Sequence, residues 1–353
     1  MKSSSTVSGS AFAGLARRGL ARRGAAWRGL VWFGLGVLLA LFASCTPAVN
    51  IPRRHALVYG VSRYVESLDT SSPPNLAYTV HDALAVAELL GSNGFEVTIR
   101  IDNEATRDQF LSDLEVFQHT VGPDDLFLFY YSGHGAQSDD ASFFKGIELP
   151  GSDTPEEWIF FFGSVAYDQV TKRLSLEYSN TLNDDELGAA LAGLPCTKRV
   201  AVIDACNSGG FIGNQLELDL AAPLYEGRAR LFDPKVIQDT AALYLAHMQD
   251  RDQQADITPN VAIVISAAGE QELAFEDQSK KHGVFTHFFL MSAEYGDLND
   301  DGFITTLEAF AFTRTMIDQW WNKFFRDLGA EYYTFAPHIS GGAVDYVLFS
   351  SES

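Results

Sequence analysis

The chain predicts an α/β domain in which a largely parallel sheet carries helices on both faces. Three observations predict it. Several short apolar runs lack the polar alternation of a half-exposed strand, so they belong to strands buried on both sides. Between them lie segments with apolar residues at helical spacing. Glycine, Asn and Thr signals punctuate the boundaries.

The elements follow in order. "HALVYGV" (His55–Val61) reads as a buried strand. "TVHDALAVAELLGSNGF" (Thr79–Phe95) is a helix with Ala83, Val86, Ala87 and Leu90 on one face and a Gly-Asn-Gly type of stop. "EVTIRI" (Glu96–Ile101) is a strand, and Thr106 caps the helix that runs to Val121. "DLFLFYYSGHG" (Asp125–Gly135) is a buried strand ending in a glycine turn. "NDDELGAALAGL" (Asn183–Leu194) is a capped helix leading into the strand "KRVAVIDA". "NVAIVISAA" (Asn260–Ala268) is a further strand, "GVFTHFFLMSAEY" a helix, and "AVDYVLF" a last strand. Two segments break the rhythm. Gln137–Asn180 is acidic and aromatic and suggests a small extra hairpin. Phe211–Pro259 is loop-rich with one helical stretch, Pro234–Gln249.

The 353 residues, 46% hydrophobic, suffice for one large domain or two small ones. A formal net charge of −21 makes nucleic acid and anionic lipid headgroups poor partners, and a cationic substrate or a metal ion a better one. The first 44 residues stand apart. They carry Lys2, Arg17, Arg18, Arg22, Arg23 and Arg28 and no acid, then the apolar run Leu30–Phe42 and small residues before Cys45. Basic start, short apolar run and small residues form a secretory signal, and the run is shorter than the roughly 20 residues of a spanning helix. The expected organisation is a signal over 1–44, a tether over 45–54 and one domain over 55–353. Three cysteines, Cys45, Cys196 and Cys206, are too few for a disulfide-built secreted fold.

Two strands end alike. "FLFYYSGHG" delivers His134 between two glycines, and "AVIDACNSGG" delivers Cys206 ahead of two more. In an open parallel sheet, reactive groups gather beyond the carboxyl ends of the strands. If the two strands are near neighbours, thiol and imidazole stand as nucleophile and base. A free thiol titrates near ~8.5, so it needs an imidazole or backbone dipole to become a thiolate at neutral pH.

"YYSGHG" followed by "VIDACNSGG" resembles the caspase/metacaspase family of cysteine peptidases, in its bacterial branch. The likeness extends over "HALVYGVSRY", "NLAYTVHDA", "ISAAGEQELAFE" and "GVFTHFF". It implies a caspase-like fold with a mostly parallel six-stranded sheet. It also implies a Cys206 nucleophile, a His134 general acid/base, and an oxyanion held by the N–H groups of Gly135 and Cys206. Asp204, Asp82 and Ser132 match the pocket for the P1 side chain. Two carboxylates in a desolvated slot select a guanidinium or ammonium, so cleavage is expected after Arg, then Lys, and not after Asp. Polypeptides with basic residues are the implied substrates. Asn207 stands where metacaspases usually show His, and "GGFIGN" lacks an acid of the family's calcium cluster, so Asp184 and Asp185 are not assigned to one. The Cys45 region resembles a bacterial lipobox, implying an exported lipoprotein whose only membrane attachment is a lipid on Cys45. Thr46 after it leans towards the outer membrane or periplasmic face.

"DLNDDGFITTLE" (Asp297–Glu308) matches an EF-hand loop. Asp297, Asn299 and Asp301 supply side-chain oxygens, Phe303 its carbonyl, Thr305 a water or hydroxyl, and Glu308 a bidentate carboxylate. Gly302 makes the sharp turn and Ile304 packs inward. Calcium is therefore the expected cofactor, with no organic one. A competing expectation is a catalytically silent calcium-binding surface lipoprotein that uses the fold as a scaffold. A third is acyl transfer from the same thioester to an amine.

Overall fold

The computed structural model describes residues 51–64, 75–138, 156–170, 173–205, 262–268, 272–340 and 345–351. The expected signal, residues 45–50 of the expected tether (Cys45 among them), Cys206 and the helical stretch Pro234–Gln249 lie outside these.

Strand β1 (Arg54–Gly60), helix α1 (Thr79–Ser92), strand β2 (Glu96–Ile101), helix α2 (Arg107–Thr120) and strand β3 (Leu126–Gly133) come first. An insertion follows, with β4 (Gly135–Ser138), β5 (Glu156–Phe160), β6 (Val165–Asp168), β7 (Arg173–Leu176) and β8 (Thr181–Asn183). Then come α3 (Asp184–Ala192), β9 (Lys198–Ala205), β10 (Ile263–Ser266), β11 (Glu276–Asp277), β12 (His282–Gly283) and α4 (Val284–Tyr295). The chain closes with β13 (Phe303–Thr305), α5 (Thr306–Met316), α6 (Lys323–Asp327), β14 (His338–Ser340) and β15 (Val347–Ser350). Among the described residues no helix is long and apolar enough to cross a membrane.

The main sheet has six strands in the order β14-β10-β9-β3-β1-β2. All neighbours are parallel except the edge strand β14, which runs antiparallel to β10. The six-stranded, mostly parallel expectation therefore holds. Its sixth strand, His338–Ser340, is one the sequence reading passed over. The strand read in "AVDYVLF" exists as β15, but it pairs with β13 in a separate two-stranded sheet. The insertion is also more than a hairpin: β4, β5 and β8 form a three-stranded sheet, and β6 with β7 a hairpin of its own.

The side chains of β3 alternate between two cores. Leu128 and Tyr130 face one that includes Val86 and Leu90 of α1 and Phe285, Phe288 and Phe289 of α4. Phe127, Phe129 and Tyr131 face the other, with Phe110, Leu114 and Phe117 of α2 and Leu191 of α3. All eight residues of β3 are buried, which is why its sequence reads as one apolar run. From β1 the chain steps outward to β2 and then crosses to β3 on the other side. The strand order reverses there, and crevices for ligands form at such reversals, outside the carboxyl ends of the strands.

Candidate active site

Parallel register carries β3 and β9 side by side to their carboxyl ends, pairing Ser132 with Asp204 and Gly133 with Ala205. His134 is the next residue after β3, and Cys206 is covalently next after Ala205.

His134 is held by its backbone. Its N–H donates to the Tyr64 hydroxyl at 2.6 Å. Its carbonyl accepts from the Tyr131 hydroxyl at 2.9 Å and from the Phe160 N–H at 3.2 Å. The Tyr64 ring packs on the imidazole, with centroids 4.5 Å apart at 41°. Gly133 explains itself by close approach: a Cβ there would stand 2.4 Å from the Tyr131 hydroxyl and 2.7 Å from that of Tyr64. Gly135 opens β4 opposite Ile159. The imidazole is half-buried at the end of the sheet.

Beside it lies a buried acidic slot. Asp82, in the first turn of α1, is 0% exposed, Ser132 1% and Asp204 6%. The Ser132 hydroxyl donates to Asp82 Oδ2 at 3.2 Å. The His282 ring nitrogen Nδ1 lies 2.7 Å from Asp82 Oδ1, and the Gly283 N–H reaches both Asp82 oxygens, at 3.2 and 3.1 Å. Asp204 Oδ2 accepts from the Thr286 N–H at 3.2 Å and its hydroxyl at 2.5 Å, and Tyr130 bonds that hydroxyl at 2.6 Å. Gly283 is the N-cap of α4 and Thr286 lies in its first turn, so the positive end of a helix dipole faces both carboxylates. A Cβ on Gly283 would stand 2.5 Å from Asp204 Oδ2 and 3.1 Å from Asp82 Oδ2, so these two oxygens are no further apart than those distances combined.

Burial and then the neighbouring Asp82 charge push the Asp204 carboxyl up to about 7. Burial also raises Asp82, against hydrogen bonds and the charge of His282 that pull it down. Glu276, which accepts from the N–H groups of Ala77 (3.0 Å) and Tyr78 (2.6 Å), is pushed up to about 7 by burial. Such a slot gains from a cation, because each charge is costly while it remains without one.

The structure thus brings together Asp82, Ser132 and Asp204, with His134 at the end of the strand that carries Ser132. Tyr64, Tyr131, Glu276, His282, Gly283 and Thr286 escaped the sequence reading. A glycine that opens an apolar helix, as in "HGVFT", was the available signal for the last three, since the N–H groups of a helix start attract buried acids.

A second acidic feature is the loop between α4 and α5. Gly302 has φ +87° and Asp300 φ +58°, the turn that position six of the motif requires. Asp297 accepts from the N–H groups of Asp301 (3.1 Å) and Gly302 (2.9 Å), and Asn299 from that of Asp301 (3.0 Å). Thr305 and Glu308 form a capping box at the start of α5. Ile304 is fully buried, and β13 pairs with β15. Among the described residues no three acidic, imidazole or thiol side chains converge on one point. The loop's carboxylates are turned onto its own amides instead. Its donors are hard oxygens on a correctly turned backbone, and in kind they fit calcium.

A model of the family described as the caspase domain matches residues 53–319. The chain belongs to the caspase-domain family. Its curated relatives include Metacaspase-1 of Candida albicans, 25% identical over 65% of this chain and 46% of that one. Metacaspase-1 of Schizosaccharomyces pombe is 26% identical over 53% and 40%. The chain therefore spans less than half the length of these relatives. Among solved structures, a Geobacter sulfurreducens protein aligns over 83% of this chain and 94% of its own, with a TM-score of 0.49 and 20% identity. Caspase-1 of Spodoptera frugiperda aligns over 85% and 92%, with a TM-score of 0.44 and 13% identity.

Proposed function

We propose that this caspase-domain protein is a cysteine endopeptidase that cleaves after Arg and then Lys through Cys206 and His134. One observation carries the reading: a slot with two buried carboxylates, Asp82 and Asp204, at the carboxyl ends of the strands that lead into His134 and Cys206. The Cys206 thiolate adds to the scissile carbonyl carbon, and the N–H groups of Gly135 and Cys206 receive the oxyanion. His134, having taken the thiol proton, returns it to the departing amine as the C–N bond breaks. Water then hydrolyses the thioester, with His134 taking its proton and restoring the thiol. The P1 cation is held in the slot, where it neutralises charge that burial has made costly.

In the same proposal, Asp297, Asn299, Asp301, Phe303, Thr305 and Glu308 hold a calcium ion that braces the junction of α4 and α5. Residues 1–44 direct export, and a lipid on Cys45 anchors the protein at the periplasmic face or outer membrane of a bacterium. The deciding experiment incubates the chain with Arg-, Lys- and Asp-terminated fluorogenic peptides, with and without calcium, beside Cys206→Ala. Turnover of the Arg and Lys peptides that Cys206→Ala abolishes is expected. No turnover by the wild type would leave the calcium-binding scaffold as the better reading, and turnover after Asp alone would overturn the pocket.

A further inference from the structure

The two carboxylates of the slot are not equivalent. A carboxylate offers about four acceptor sites. Asp82 receives four contacts: His282 and the Gly283 N–H at Oδ1, the Gly283 N–H again and the Ser132 hydroxyl at Oδ2. Every hydrogen bond given to Asp204 by the described residues lands on Oδ2, from Thr286 alone. Among the described residues, Oδ1 of Asp204 receives none. Asp82 is 0% exposed and Asp204 6%, so the residue with the open oxygen is also the less completely buried of the two.

The group that closes Asp82 is His282. It lies in β12, where the cross-strand pair Asp277–His282 belongs to a hairpin with β11. Its side chain is 23% exposed, so the ring covers Asp82 from the solvent side. The ring is stacked on His287 of α4, with centroids 6.4 Å apart at 19°. A hairpin and a helix therefore both hold the imidazole in place.

We infer that His282 is a specificity-determining residue of this slot: a built-in donor that occupies Asp82 and leaves Asp204 Oδ1 as the acceptor for an incoming basic group. The inference rests on the slot being the P1 pocket of the proposed peptidase. It departs from the simple expectation that both carboxylates grip the substrate. A single open oxygen serves an ammonium nearly as well as a guanidinium. Two open carboxylates favour the guanidinium, whose planar fork can reach both where a compact ammonium cannot.

The test reads binding, with benzamidine as a forked cation and benzylamine as an ammonium of the same body. Calorimetry on the full chain gives the ratio of their dissociation constants. In His282→Ala the preference for benzamidine over benzylamine is expected to rise about ten-fold, the worth of one further charge-assisted hydrogen bond. His282→Gln, whose amide can still donate to Asp82, is expected to restore the wild-type ratio. A ratio equal in all three proteins would overturn the inference, as would a wild type that binds no benzamidine. A second measurement needs no substitution. With 15N-labelled histidine, the His282 ring N–H resonance bonded to Asp82 is expected to persist when the wild type is saturated with benzamidine, and its loss would overturn the inference. Peptide turnover enters neither readout. A chain that cleaves no peptide but shows the ten-fold change loses the peptidase reading and keeps the role of His282. A chain that cleaves Arg peptides with an unchanged ratio does the reverse.

Discussion

At Gly283 a single hydrogen atom in place of a methyl lets two carboxylates share one helix end. The N–H donates to Asp82, and the missing Cβ leaves room for Asp204 Oδ2. Gly283→Ala would drive a methyl between the acids and is expected to raise KM for Arg peptides sharply. Overpacking of this kind costs about 1–3 kcal/mol, so a lowered melting temperature should accompany it. Steady-state kinetics and thermal melts check both. Tyr64 works on the other side of the site, through its hydroxyl to the His134 N–H and its ring on the imidazole. Tyr64→Phe keeps the ring and removes the acceptor. A fall in kcat of roughly ten-fold with KM little changed is expected, because misplacing a base by a fraction of an ångström is costly to proton transfer.

At the scale of elements, α4 supplies the amides that make the acidic slot tenable, and the loop after it joins α5. Thr305 and Glu308 cap α5 with reciprocal bonds. Glu308 is 1% exposed, and burial raises its carboxyl against the bonds from Thr305 and Leu298. A divalent cation would relieve that cost. Calcium is expected to raise the melting temperature of the full chain, a chelator to reverse this, and Asp297→Ala to abolish the response, as calorimetry at fixed pH would report. Thr305→Ala should cost about 1 kcal/mol even without calcium, since the cap alone accounts for that much.

For the whole molecule, the buried acids set the pH response. Asp204, ordinarily near 3.8, and Glu276, ordinarily near 4.5, are both pushed up to about 7, so the folded chain binds their protons more tightly than the unfolded chain does. Stability is therefore expected to fall as pH rises from about 4 to about 7 and then level off, a fall partly offset below about 6.5 by His287, which burial holds down to about 4. Asp113 and Asp125, where burial is outweighed by hydrogen bonds that lower them, act in the opposite sense below their usual values and outside that window. Urea titrations at pH 5 and pH 8 measure the slope, which Asp204→Asn should reduce. Substrate binding runs the other way. Under the proposed specificity an Arg side chain needs Asp204 charged, so kcat/KM for Arg peptides should rise with pH through about 7.

Local signals in the chain were strong enough to read the elements. Thr106 and Asn183 cap the helices expected of them, because a cap is decided by neighbours three residues apart. β3 and β9 were legible because strands buried on both faces must be apolar throughout. Edge strand β14 was not legible: three residues with one covered face carry too short a pattern. The pairing of β15 with β13 is likewise a tertiary choice. The same holds for the site. His134 could be named from its glycine-framed strand end, whereas Asp82, Ser132 and Asp204 could be named only through the resemblance to the caspase/metacaspase motifs. That Asp82 is closed by His282, that Asp204 keeps an open oxygen, and that Tyr64 holds His134 could not. Those contacts join residues about 70 to 200 positions apart in the chain, and no local pattern encodes a partner at that distance. Local signals a few residues long were enough to assign the strands and the helix that carry Ser132, His134, Asp204 and Asp82; packing of α4 and its hairpin against the sheet decided which of their carboxylate oxygens are hydrogen-bonded.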